Sequence, residues 1–190
     1  MAADKVQYNL KNVHYAIQQV GDNGAISYGT PKHVPGAVSL TCDPEGETST
    51  YYADGIKYFV SSGNDGYTGS LEMALIPASM RADIWGMEVN SKGVQMEDAE
   101  AETKVIALLF EVDGDQHGRK NVLYGVTLTR PGMGSKTNDG SKEPQNQTCE
   151  LIAAPVNING KMCPMANTTA EVDATVDANW FKSVYMGETT

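Results

Sequence analysis

Apolar residues fall at every second position in short segments along this chain, and Gly, Asn and Asp separate one segment from the next. Alternation of period two marks strands with one buried face, whereas a helix needs spacings of three and four. Leu71, Met73 and Leu75 alternate with Ser70, Glu72 and Ala74. Val122, Tyr124, Val126 and Leu128 repeat the pattern, and so does Gln147–Ala153. Helical spacing is confined to about residues 79–86, where Met80, Ile84 and Met87 share a face. Ser79 stands at a capping position there, and Gly86 can close the end. The expected fold is mainly β: a sandwich or barrel with one short flanking helix.

The opening strand carries a change of phase. Val6, Tyr8 and Leu10 share one parity, while Val13, Tyr15 and Ile17 share the other, so a bulge or bend is predicted near Lys11-Asn12. Gly21–Gly24 reads as a turn into a short partner strand, Ala25–Tyr28. Gly36–Cys42 is a further strand. Lys104–Val112 and Asn121–Arg130 form a hairpin around Asp113–Gly118, and Asn159-Gly160 centres another over Val156–Cys163. Between them, 43–66 reads as a long inter-strand loop with an aromatic middle: Tyr51, Tyr52, Tyr58 and Phe59. Either it is a hairpin over its own core, or it docks on a neighbour. The segment 166–190 reads as a C-terminal arm, polar at first and then apolar at Trp180, Phe181, Val184 and Tyr185. No repeat or linker divides the chain, which is expected to be one domain, 1–190.

Charge and size exclude several functions. With 14 Lys plus Arg against 24 Asp plus Glu, the formal charge is −10. Counterion-release binding to nucleic acid needs clustered cations, and Arg119-Lys120 is the densest group. The longest apolar run, Val105–Phe110, is far short of a membrane span. No apolar stretch follows a basic cluster at the N-terminus, so no signal peptide is predicted. Cys42, Cys149 and Cys163 are odd in number and far apart, and read as reduced thiols. A compact monomer of this mass would expose roughly 8,800 Å².

No motif assembles a reaction. Asp113, Asp115, His117 and Gly118 begin like a calcium loop, but Tyr124 stands where the bidentate Glu belongs. Gly132–Thr137 lacks the spacing of a phosphate loop and the helix that must follow it. His14, His33 and His117 sit beside no Cys or Ser nucleophile, and Cys/His metal spacing is missing. Paired acids such as Glu45 and Glu47 read as solvated surface. The expectation is no enzyme, no cofactor and no metal. What remains is association: exposed strand edges pair with another chain or are blocked. Tyr51, Tyr52, Tyr58, Phe59, Trp180, Phe181 and Tyr185 are the candidates for subunit contacts, aromatics being enriched there. The other reading for them is plain core.

Taken in order, several segments resemble the phi-thirteen-type family of major tail proteins, which form the tail tube of long-tailed bacteriophages. They are Lys5–Ala16, Pro35–Val38, Tyr51–Gly55, Gly66–Glu72, Ile76-Pro77 before the helix, and Trp180–Tyr185. The resemblance implies a tail-tube β-sandwich or barrel, six subunits to a ring, and rings stacked into a hollow tube. It implies a virion protein assembled in the bacterial host cytoplasm, with tape measure and tail-terminator proteins as partners. Phage DNA would pass through without specific binding, repelled by lumen acids among which Asp54, Glu72 and Glu111 are candidates. The loop 43–66, Met1–Asp4 and 166–190 would touch neighbouring subunits. A type VI secretion-like ring shares this fold, and a monomeric β-sandwich module binding ligands such as carbohydrate on Tyr51, Tyr52 and Tyr58 is the reading from another class.

Overall fold

The structure, a computed structural model, describes residues 6–114, 118–137, 140 and 143–187. The fold is mainly β, 49% strand and 8% helix. Strands β1 (Tyr8–Val20), β2 (Ile26–Tyr28), β3 (Lys32–His33), β4 (Ala37–Glu45), β5 (Thr48–Ala53), β6 (Ile56–Ser62) and β7 (Gly66–Met73) lead to helix α1 (Ala78–Trp85). Then come β8 (Glu88–Val89), β9 (Gln95–Met96), β10 (Ile106–Asp113), β11 (Arg119–Leu128) and β12 (Gln147–Ala153). The chain closes with β13 (Val156–Ile158), β14 (Lys161–Cys163), β15 (Met165–Asn167) and helix α2 (Ala174–Asn179).

A nine-stranded antiparallel sheet runs in the order β2-β1-β10-β11-β12-β7-β4, with β15 added to β11 and β3 to β1. It curls until β4 lies against β1. Inside the curl sits the main core, built from Val13, Tyr15, Leu71, Met73, Ile106, Leu108, Val126 and Leu151, with Met80, Ile84 and Trp85 of α1 as its plug. Trp85 donates its indole N–H to the Leu128 carbonyl at 3.1 Å, so the ring is buried with its polar atom satisfied. A second cluster lies on the outer face of β1, β10 and β11: Ala16, Ala107, Leu109, Val122 and Tyr124 meet Val156, Ile158, Trp180 and Val184. Strand β10 is therefore buried on both faces, which is why its sequence runs apolar without alternation.

The phase change in β1 is real. Its register against β10 shifts between Tyr8 and Leu10 and again between Lys11 and His14. Asn9 and Asn12 take positive φ of 63° and 53°, a conformation Asn tolerates better than most residues. Their amides then hydrogen-bond Asp113 (2.8 Å) and Glu111 (2.7 Å) across the irregular ladder.

Other expectations need correction. The flanking helix is Ala78–Trp85, capped at Pro77 without a side-chain hydrogen bond, so Ser79 lies inside it. A second helix, α2, stands in the segment read as polar arm, because Asp173 accepts from the Thr175 and Val176 amides. Leu75 continues the alternation on paper but follows the end of β7 and is exposed. The region 43–66 is a hairpin, not an irregular loop: β4 runs on to Glu45, and β5 and β6 pair beyond it, but its aromatics are exposed and do not lie over its own core. Asp115, His117 and Met1–Asp4 lie outside the described residues.

Candidate assembly interface

The β4–β7 ladder does not stop at the sheet. Beyond it the Asp65 amide donates to the Glu45 carbonyl (2.8 Å) and the Gly63 amide to the Glu47 carbonyl (3.0 Å), carrying the two chains outward into β5 and β6. At that neck the chains nearly touch: a Cβ on Gly46 would stand 2.1 Å from the Gly63 carbonyl oxygen, so only glycine fits. The far end is closed by Asp54-Gly55, both at positive φ (54° and 75°), the geometry of a two-residue hairpin turn. The product is a two-stranded arm.

Among the described residues nothing buries the large apolar side chains of this arm. Tyr51, Tyr52, Ile56, Tyr58, Phe59 and Val60 are between 53% and 70% exposed, and every residue of β6 is exposed. Tyr51 pairs with Phe59 on one face; a register shift follows, and Tyr52 stands opposite Lys57 on the other. The aromatics are thus spread over both faces. An isolated two-stranded hairpin is marginal in water, and monomers seldom display an apolar patch of this size. The accessible surface of the whole chain, 12328 Å², exceeds the roughly 8,800 Å² of a compact monomer.

The C-terminal aromatics sit differently. Trp180 is 3% exposed, its indole N–H directed to the Asn121 carbonyl at 3.5 Å. Tyr185 stacks on it with ring centroids 5.8 Å apart, and the Tyr124 hydroxyl donates to the Tyr185 carbonyl at 2.5 Å. Phe181 stacks on His14 at 4.7 Å. Lys120 fastens the same segment through the Asp177 carboxylate at 2.7 Å. The seven aromatics singled out in the sequence therefore fall into two sets, four bare on the arm and three folded against their own chain.

The three acids singled out also separate. Asp54 is exposed at the arm tip. Glu111 is nearly buried, held by Lys11 at 3.2 Å and the Asn12 amide at 2.7 Å. Glu72 lies one residue from the end of β7, accepting from Asn146 (2.9 Å) and Ser39 (2.8 Å), and these bonds hold its carboxyl below the usual range. It belongs to a face that the register defines, half-buried along β7 and exposed along β12. Ser39, Thr41 and Asp43 of β4 stand opposite Glu72, Ser70 and Thr68 of β7, which stand opposite Thr148, Glu150 and Ile152 of β12. These three strands contain no Lys, Arg or His. Glu150 was missed in the sequence, although its place in the Gln147–Ala153 alternation puts it opposite Cys149 and Leu151. Reactive thiols are not part of this surface: burial pushes Cys42 and Cys149 up to about 11.

No family model matches the chain, and no curated protein does. Among solved structures, a chain in the cryo-EM structure of the anti-feeding prophage baseplate, symmetrised six-fold, aligns with a TM-score of 0.50. The identity is 13%, over 90% of this chain and 100% of that one. A chain from the sheath/tube terminator of an extracellular contractile injection system gives 0.48 at 12% identity, over 88% and 100%. One from the cap terminating the anti-feeding prophage tube gives 0.46 at 16%, over 87% and 95%. At such identity the likeness to the baseplate chain is one of fold alone. The fold is one found in contractile injection systems, and the phi-thirteen-type family stays a resemblance.

Proposed function

We propose that this chain is a structural subunit of a tail-like tube, acting by self-association and without an active site. The bare aromatic arm carries this reading. Four aromatics held out on two strands, with nothing of their own chain beneath them, are the anatomy of an interface awaiting its partner. Their distribution over both faces of the arm makes no flat platform for a sugar, which favours assembly over the ligand-binding module.

Tyr51, Tyr52, Tyr58 and Phe59 form the principal subunit contact, and the partly buried Phe181 and Tyr185 a smaller one. Trp180 anchors the segment from inside. Six copies form a ring and rings stack into a tube; the six-fold baseplate neighbour suits that arrangement. Tape measure and terminator proteins would bound the tube, which belongs to a virion tail assembled in the host cytoplasm. The polar face of β4, β7 and β12 faces the lumen, where Glu72 and Glu150 repel passing DNA. Glu111 is engaged by Lys11, and Asp54 goes with the arm tip.

Sedimentation velocity over a concentration series tests this, comparing the wild type with a variant in which residues 48–62 are replaced by a two-residue turn. Wild-type chains are expected to form discrete species up to six copies of 20.4 kDa and beyond, and the shortened chain to lose them while keeping its melting transition. Equal assembly by both would overturn the reading.

A further inference from the structure

Register brings together two histidines that the sequence keeps apart. His14 on β1 stands directly opposite His33 on β3, and their ring centres are 5.0 Å apart. Successive strand residues face opposite sides of a sheet. Lys32 accordingly reaches Asp83 of α1 on the inner side. His33 meets His14 on the outer side, where Phe181 stacks on the His14 ring. The backbone bond from the Val34 amide to the Val13 carbonyl (2.8 Å) carries the pairing one residue further. Strand β3 is thus fastened inward by an ion pair and outward by the histidine contact.

The His14 ring is set in one orientation. Phe181 lies 4.7 Å from it, centre to centre. Its Nδ1 is 2.7 Å from the Asn12 carbonyl oxygen; a carbonyl only accepts, so Nδ1 carries the proton and Nε2 keeps its lone pair. A backbone carbonyl on one imidazole nitrogen is how proteins orient a histidine that binds metal through the other. His33 is exposed, and neither of its nitrogens has a hydrogen bond among the described residues. Turning that ring toward Nε2 therefore breaks nothing.

Spacing agrees with a shared ion. Two imidazoles on one zinc, at about 2.1 Å and a near-tetrahedral angle, hold their ring centres roughly 5 Å apart. The rings are inclined at 60°, not stacked face to face, an arrangement that would keep their nitrogens from converging. Neighbouring cations are engaged elsewhere, Lys32 by Asp83 and Lys120 by Asp177. Among the described residues no third His, Cys, Asp or Glu joins the pair, so the other coordination positions fall to water. Imidazole ligands suit zinc, nickel and copper, whereas magnesium and calcium take oxygen.

We infer that His14 and His33 form a two-histidine site for a divalent transition cation, which staples β3 to β1 on the outer side of the sheet. The site does not rest on the tube reading, since a monomer would carry it too. A cation held by the folded chain alone stabilises it by mass action.

Tag-free protein near neutral pH, where unperturbed imidazole is mostly uncharged, is titrated with Cu2+ and Zn2+ beside His33→Gln and His14→Gln. Electron spin echo modulation of the Cu2+ samples counts the bound imidazoles. The wild type is expected to take one equivalent and to show two imidazoles. Either variant should show at most one and bind at least about tenfold more weakly. Zn2+ at about 1 mM should raise the wild-type melting temperature by several degrees, and Mg2+ should not. His33→Gln changes an exposed side chain, so the comparison does not depend on the half-buried His14 position. One imidazole in the wild type overturns the site. Two imidazoles persisting in either variant overturn it as well, placing the metal elsewhere, His117 included. Zinc that binds without raising the melting temperature overturns the staple.

Discussion

Two hairpins in this molecule are closed by the same device and meet opposite fates. Asp54-Gly55 closes β5–β6 and Asn159-Gly160 closes β13–β14, all four residues at positive φ. The second hairpin lies on the outer face of β10 and β11, where Val156 and Ile158 are buried with Tyr124 and Trp180. The first holds more large apolar side chains and buries none of them. Under the proposed assembly, the cover missing from the first hairpin comes from another copy. Turn chemistry decides that a hairpin forms; what lies beneath decides whether its apolar residues are core or contact.

That contrast sets the size of the effects. Truncating the arm at Tyr51 and Phe59 to Ala should be largest for assembly, since two central aromatics in an interface are worth about 2 kcal/mol or more each. Assembly followed by light scattering should need far more protein, while the melting temperature of the monomer stays put. Trp180→Ala should do the reverse: loss of a buried indole costs about 3–5 kcal/mol of fold stability in denaturant titration. Tyr124→Phe, which removes only the hydroxyl held by the Tyr185 carbonyl, should cost about 1 kcal/mol.

The smallest effect touches neither hairpin. Asp83 on α1 is partly desolvated, which opposes its charge, but Lys32 and the Tyr15 hydroxyl outweigh this and hold its carboxyl below the usual value. A depressed carboxylate adds stability above its unfolded pKa of about 3.9 and loses it as pH falls through the folded value. Asp83→Asn should therefore be less stable at pH 7 and indistinguishable from the wild type at the acid end of the titration. A gap that persists there would assign the effect to packing.

Much of the fold was legible because strands write their faces into parity. The phase change between Leu10 and Val13 located a bulge, and Gln147–Ala153 and the Asn159-Gly160 hairpin fell where the structure has them. What parity cannot say is whether an apolar face is covered by the same chain. Tyr51 and Tyr52 look like Trp180 and Tyr185 in composition, yet one pair is bare and the other packs under α2 and β13–β14. A hairpin was a readable option for 43–66, but its turn at Asp54-Gly55 was not placed, and no pattern could say that it lies over no core. Trp85 went unassigned because a plug helix buries its last residue through a fold-level contact with Leu128, outside any local pattern.

The most direct measurement is negative-stain electron microscopy of the purified wild-type protein over a concentration series, alongside its mass in solution. Hollow tubes or six-fold rings, absent when the arm is removed, are the expected result. A strict monomer at every concentration, with the aromatic arm intact, would contradict a chain built for assembly.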